Sequence, residues 1–113
     1  MSSIPHTPED DEYDRRFAGI GRVYGVDRFA RFEAAHIMVI GIGGVGSWAA
    51  EALARTGIGK ITLVDMDILV ASNINRQLPA LSQTLGMEKT RAMAERIHAI
   101  NPRITLNIID DFL

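Results

Sequence analysis

The segment Gly41-Ile42-Gly43-Gly44-Val45-Gly46 constrains this chain more than any other. It matches G-x-G-x-x-G, and its setting gives that spacing a mechanical meaning. A short apolar run, residues 36–41 (HIMVIG), leads into it, and an alanine-rich helical segment, residues 44–56 (GVGSWAAEALART), follows. The first glycine allows a tight turn. The second lets the backbone come close to a phosphate, and the last lets the helix pack against the strand. The start of the helix then offers unpaired N–H groups and a partial positive charge to an anion. A nucleotide-binding turn is expected; the motif alone does not say which nucleotide.

The flanking pattern extends this to a fold. Residues 60–65 (KITLVD) read as a second strand, after Gly57 and Gly59 close the helix. Residues 87–100 (MEKTRAMAERIHAI) read as an amphipathic helix with Met87, Ala94, Ile97 and Ile100 on its apolar side, stopped by Asn101-Pro102. Residues 103–109 (RITLNII) read as a third strand, and residues 66–86 as irregular, with a turn of helix near Asn73. Upstream, Tyr13, Phe17, Ile20, Val23 and Tyr24 recur at helical intervals, interrupted by Gly19, Gly21 and Gly25, so residues 12–34 are expected to form two or three short helices. Residues 1–11, with two prolines and an acidic run, read as a flexible leader.

Helices alternating with buried strands predict an α/β fold: a Rossmann-like parallel sheet with flanking helices, preceded by short N-terminal helices. Three strands make half of a doubly wound sheet, and the third ends close to Leu113, leaving a sheet edge bare. The expectation is that residues 12–113 are the N-terminal part of a larger nucleotide-binding domain.

Composition narrows the class. The chain has 113 residues, 47% apolar and 23% charged, the balance of a globular domain. Its formal charge of -2 gives no global basic field to attract nucleic acid. It has no cysteine, which removes a disulfide framework, a thiolate zinc site and a cysteine nucleophile from this segment, and suits the cytoplasm. No apolar run approaches the roughly 18 residues of a membrane span, and the acidic N-terminus lacks the apolar stretch of a signal peptide.

The most informative polar stretch is D-M-D-I-L-V-A-S-N-I-N-R-Q, residues 65–77. Asp65 lies nineteen residues after Gly46 at the tip of the second strand, the usual place for an acid that binds ribose hydroxyls. On that evidence NAD and an NAD-dependent oxidoreductase are candidates. Asp67 is read either as a cap for the following segment or as a ligand residue. A dinucleotide, however, has no need of Asn73, Asn75, Arg76 and Gln77 immediately afterwards. Arg76 carries a fork of donors suited to phosphate oxygens. Lys89, in the first turn of the next helix, can lie on the surface or reach back to a phosphate. Arg76 and Lys89 together neutralise a triphosphate better than a diphosphate, which favours ATP.

Four motifs, G-I-G-G-V-G-S (41–47), L-V-D-M-D (63–67), S-N-I-N-R-Q (72–77) and G-M-E-K-T (86–90), occur in an order and spacing that resembles the ubiquitin-activating-enzyme-like adenylyltransferases, over a stretch from about Tyr13 to the end. Within that family, residues 15–25 (RRFAGIGRVYG), 41–67 and 96–102 (RIHAINP) resemble the branch that dehydrates threonylcarbamoyladenosine in tRNA. The resemblance implies ATP and Mg²⁺, a homodimer, a tRNA substrate, and adenylation of a carboxylate followed by ring closure with net loss of water. It implies that Gly41, Gly43, Gly44 and Gly46 shape the phosphate turn, that Asp65 binds ribose, and that Asn73, Arg76 and Lys89 hold the triphosphate. Asp67, Asn75 and Gln77 belong to the same pattern. Arg15 resembles an arginine that the family supplies across a dimer interface, and the family's Mg²⁺-binding aspartate falls beyond residue 113. The rival within the family activates the C-terminal diglycine of a sulfur-carrier protein, which would bring a sulfur-transfer partner. A nucleotide-binding module without turnover is a third reading.

Other polar and aromatic residues are read as structural. His36 is expected at a strand boundary, His98 on a helix surface, and His6 in the leader. Trp48 is expected to serve helix–sheet or interface packing, and Asp10, Asp11 and Glu12 to form a solvated tail.

Overall fold

A computed structural model describes residues 7–111. Helix α1 spans Pro8–Tyr24 and α2 spans Val26–Ala34. Strand β1 (His36–Ile40) is followed by α3 (Gly46–Thr56), β2 (Lys60–Val64), a 3₁₀ turn (Ala71–Asn73), α4 (Lys89–Ile100) and β3 (Thr105–Ile109).

The first helix starts earlier than the sequence suggests. The Thr7 hydroxyl accepts from the Asp10 N–H at 3.2 Å and the Asp10 carboxylate accepts from the Thr7 N–H at 3.1 Å. This reciprocal cap, with Pro8 in the first turn, starts a helix where a flexible leader was expected through residue 11. Residues 1–6, with His6, lie outside the described residues. Asp10 and Glu12 are also tied to the fold, by ion pairs to Arg103 and Arg16. Tyr13 and Phe17 are the buried face of α1; Phe17 stacks on Phe29 of α2, and the Tyr13 hydroxyl donates to Glu33 at 2.7 Å.

The three strands form a parallel sheet in the order β1-β2-β3, with His36 opposite Lys60 and Lys60 opposite Thr105. Both crossover helices pack on the same face and against each other, as right-handed connections between successive neighbours require. The core lies between that face and the helices: Val39, Ile61 and Leu63 meet Ala50, Ala54, Met93 and Ile97. β2 is central, and Ile61, Thr62, Leu63 and Val64 are all buried. On the opposite face Met38 and Ile40 of the edge strand β1 are exposed. Thr62 on that face is hydrogen-bonded to His36 Nε2 at 2.6 Å, so His36 serves the sheet as a boundary residue.

Element boundaries differ from expectation for local reasons. β1 stops before Gly41, whose φ of 86° is not a strand conformation. α4 begins at Lys89, so Met87 precedes it and joins a small separate cluster with Leu69, Ala80 and Ala92. Met93 takes the central core position instead. β3 begins at Thr105, because the Asn101 side chain accepts from the Arg103 N–H and holds residues 101–104 in a turn. Among the described residues no helix is long and apolar enough to cross a membrane.

Candidate nucleotide-binding site

The glycine turn lies at the C-terminal end of β1, where ligands of open α/β sheets bind. Gly41 takes the left-handed conformation that starts the turn. Gly46 opens α3 pressed against it: a Cβ on Gly46 would lie 1.7 Å from the Gly41 carbonyl oxygen, so no side chain is possible there. A Cβ on Gly44 would touch the Arg76 side chain at 3.3 Å, and one on Gly43 would come within 4.0 Å of the Gln77 amide. The loop carrying Arg76 and Gln77 therefore closes over the turn.

Two side chains of α3 hold that loop down. Ser47 is fully buried and its Oγ accepts from the Leu78 N–H at 3.3 Å. The Trp48 indole N–H donates to the Arg76 carbonyl at 3.0 Å. Trp48 is 57% exposed, so it serves the loop and not helix–sheet packing. The Arg76 guanidinium donates through one nitrogen to the Ser72 carbonyl at 2.8 Å and to Asn75 Oδ1 at 3.0 Å. Asn73 is buried, and its Oδ1 accepts from the Val70 N–H at 2.9 Å. Half of that amide is therefore spent on fixing the loop.

Asp65 joins the loop to the turn. One carboxylate oxygen accepts from the Ile42 N–H at 2.7 Å, the other from the Asp67 N–H at 2.8 Å. The Asp67 side chain is exposed and makes no hydrogen bond among the described residues, so it caps nothing. The Asp67 carbonyl accepts from the Lys89 N–H at 3.0 Å, which sets the start of α4 beside the acidic tip of β2. Lys89 is only 8% exposed, with no ion pair among the described residues. The Lys89 Nζ is not among the fully buried unpaired atoms, so the side-chain stem is covered while the ammonium end reaches the surface, free to meet an anion. Two buried oxygens on these elements, Gln77 Oε1 and Thr90 Oγ1, also lack a hydrogen-bond partner.

The structure thus gathers Gly41, Gly43, Gly44, Gly46, Asp65, Arg76 and Gln77 around one turn, with Asn73, Asn75, Asp67 and Lys89 on the segments fastened to it. It does not bring Arg15 there. Tyr13 and Phe17 face inward, so Arg15 lies on the exposed side of α1 and makes no hydrogen bond with the turn. Sequence reasoning missed Ser47 and Thr90 as site-building residues. Their signal was membership of the motifs 41–47 and 86–90: Ser47 directly follows the last glycine, and Thr90 directly follows Lys89.

A model of the ThiF family matches residues 13–113. The chain belongs to that family. ThiF relatives include a tRNA threonylcarbamoyladenosine dehydratase of Haemophilus influenzae (strain ATCC 51907 / DSM 11121 / KW20 / Rd), 62% identical over 103 residues. The match takes in 91% of this chain and 40% of that protein. The enzyme of the same name from Escherichia coli (strain K12) is 54% identical over 103 residues, 91% of this chain and 38% of that one. Among solved structures, the E. coli tRNA N6-threonylcarbamoyladenosine dehydratase in complex with ATP superposes with a TM-score of 0.89 at 50% identity, over 97% of this chain and 44% of that one. The chain thus spans less than half the length of these relatives. Their fold bears out the Rossmann-like α/β expectation for the part it covers.

Proposed function

We propose that this chain is the nucleotide-binding part of an enzyme that uses ATP to adenylate the carboxylate of threonylcarbamoyladenosine in tRNA. One observation carries the nucleotide reading: Arg76 lies across Gly44 of a glycine turn tied through Ile42 to Asp65, and the acid-free Lys89 starts the helix fastened to Asp67 beside that acid. The substrate reading rests on the high identity to dehydratases of that name.

Each group has a place in this scheme. Asp65 would bind the ribose, as its position at the tip of β2 suits. Gly43, Gly44 and the first N–H groups of α3 would take the phosphates. Arg76 and Lys89 would pair with phosphate oxygens and stabilise the charge that builds as pyrophosphate leaves, with Asn73, Asn75 and Gln77 holding the loop and its amides in range. The attacking carboxylate is already ionised, so no general base is required, and positioning plus charge stabilisation is sufficient catalysis. The carboxylate oxygen bonds to the α-phosphorus as the bond to pyrophosphate breaks. The nucleoside side chain then closes on its own acyl carbon and releases AMP, which carries away the oxygen lost as water.

Mg²⁺ would enter with the triphosphate and neutralise part of its charge. It is usually held by one or two carboxylates plus phosphates, and the exposed Asp67 carboxylate is available for it. Arg15 lies on the exposed side of α1, and a homodimer would let it serve a partner's site. tRNA modification would place the protein in the cytoplasm.

The test is pyrophosphate release by the full-length protein. Release that requires tRNA carrying threonylcarbamoyladenosine supports the reading. Release that ignores this tRNA but responds to a diglycine-ended carrier protein would assign the chain to sulfur-carrier activation instead.

A further inference from the structure

Away from the glycine turn, a cleft of about 500 Å³ opens between α1, the last turn of α3 and the second half of α4. Arg16, Arg55 and Arg96 line it, with Phe17, Ala99 and Ile100 as its apolar wall. Three guanidinium groups here meet two carboxylates. Glu12 pairs with Arg16, and Glu51, buried beneath the cleft, is shared by Arg55 and Arg96. One positive charge is left over, in a chain whose net charge is -2.

The arginines are not equally committed to the fold. Arg16 donates to the Ala99 and Ile100 carbonyls, both at 3.0 Å, and pins α1 to the end of α4. Arg96 bonds Glu51 through two nitrogens. Arg55 makes one long contact, Nε to Glu51 at 3.3 Å, and its side chain is 59% exposed. An exposed i,i+4 pair of this kind contributes little to stability. The terminal nitrogens of Arg55 have no hydrogen-bond partner among the described residues. Arg96 Nη1 is in the same condition.

We infer that this cleft is a second anion site, which takes a backbone phosphate of the RNA substrate. Arginine forks match phosphate oxygens, and a cleft with neither a glycine turn nor a ribose-binding acid suits a phosphodiester better than a free nucleotide. Its distance fits as well. Arg55 is nine residues along α3 from Gly46, about 14 Å at 1.5 Å per residue. That is beyond the reach of the phosphate chain of a nucleotide held at the turn, while an RNA strand offers a phosphate at every nucleotide. The inference rests on the tRNA reading above and adds to it an anchor that registers the RNA against the chemistry.

The experiment measures binding of tRNA carrying threonylcarbamoyladenosine to the full-length protein across a salt series, apart from turnover. Arg55→Ala is expected to weaken binding about three- to tenfold and to lower the slope of log affinity against log salt by about one. Arg55→Lys is expected to restore most of both, and the KM for ATP to stay unchanged in each variant. Unchanged affinity and slope in both Arg55→Ala and Arg55→Glu overturn the site. A raised KM for ATP, or lost inhibition by inorganic phosphate, with tRNA affinity unmoved, assigns the cleft to small phosphates and overturns the RNA occupant. Wild-type protein that binds tRNA through Arg55 yet fails to cyclise the nucleoside would overturn the proposed reaction and leave the anchor standing.

Discussion

The Asp65 carboxylate accepts a hydrogen bond from the Ile42 N–H at 2.7 Å, and so joins the end of β2 to the middle of the glycine turn. Its other oxygen fixes the Asp67 N–H. The acid that would bind ribose is therefore also the brace that shapes the phosphate turn. Asp65→Ala should remove two charge-assisted bonds and cost about 2 kcal/mol or more. The expected result is a lower melting temperature together with loss of ATP binding. An unchanged melting temperature with ATP binding lost would restrict Asp65 to the ligand.

Gly46→Ala should be far more damaging than its size suggests. The added methyl would meet the Gly41 carbonyl oxygen at 1.7 Å, and that neighbour is backbone, so the turn itself must open. A loss of about 3 kcal/mol is expected, read by thermal melts, with no measurable ATP affinity. Gly21→Ala, on α1 with nothing within 4 Å of its Cβ position, is the control and should be neutral or slightly stabilising.

Lys89 separates fold from function. Its stem is covered and its ammonium has no ion pair among the described residues, so Lys89→Met should leave stability unchanged or raise it, while ATP use by the full-length protein falls tenfold or more, about 1.4 kcal/mol. Arg76→Ala should cause a loss of the same order. Unchanged turnover in both variants would remove them from the phosphate site.

These residues show how far the sequence was legible. The glycine turn, the acid at the tip of β2 and the element order are local patterns, set by one strand end, one helix start and the alternation of apolar runs, and they were readable. The roles of Ser47 and Trp48 were not, because both reach a loop about thirty residues away that has no periodic pattern to announce its path. The start of α1 was misread because an acidic run suggests a solvated tail, while the helix cap rests on the reciprocity of just Thr7 and Asp10. The burial of Lys89 was left open, since its sequence position fits a surface lysine equally well.

Glu51 predicts a pH response. The hydrogen bond from Arg96 holds its carboxyl below the ordinary value of 4.5, against burial, which pushes it up. A carboxyl whose folded pKa is depressed stabilises the protein above its unfolded pKa and loses that contribution as pH falls through the folded value. The difference in stability between the wild type and Glu51→Gln should be largest near neutrality and shrink below 4.5. Denaturant melts over a pH series measure it. A difference that stays constant through the acid range would mean that the ion pair does not tie α3 to α4.

The most direct test uses the full-length protein with ATP, Mg²⁺ and tRNA bearing threonylcarbamoyladenosine, followed by digestion of the tRNA and mass measurement of its nucleosides. The account predicts an ATP-dependent loss of one water from the modified nucleoside. A folded, ATP-bound protein that leaves the nucleoside mass unchanged would contradict it.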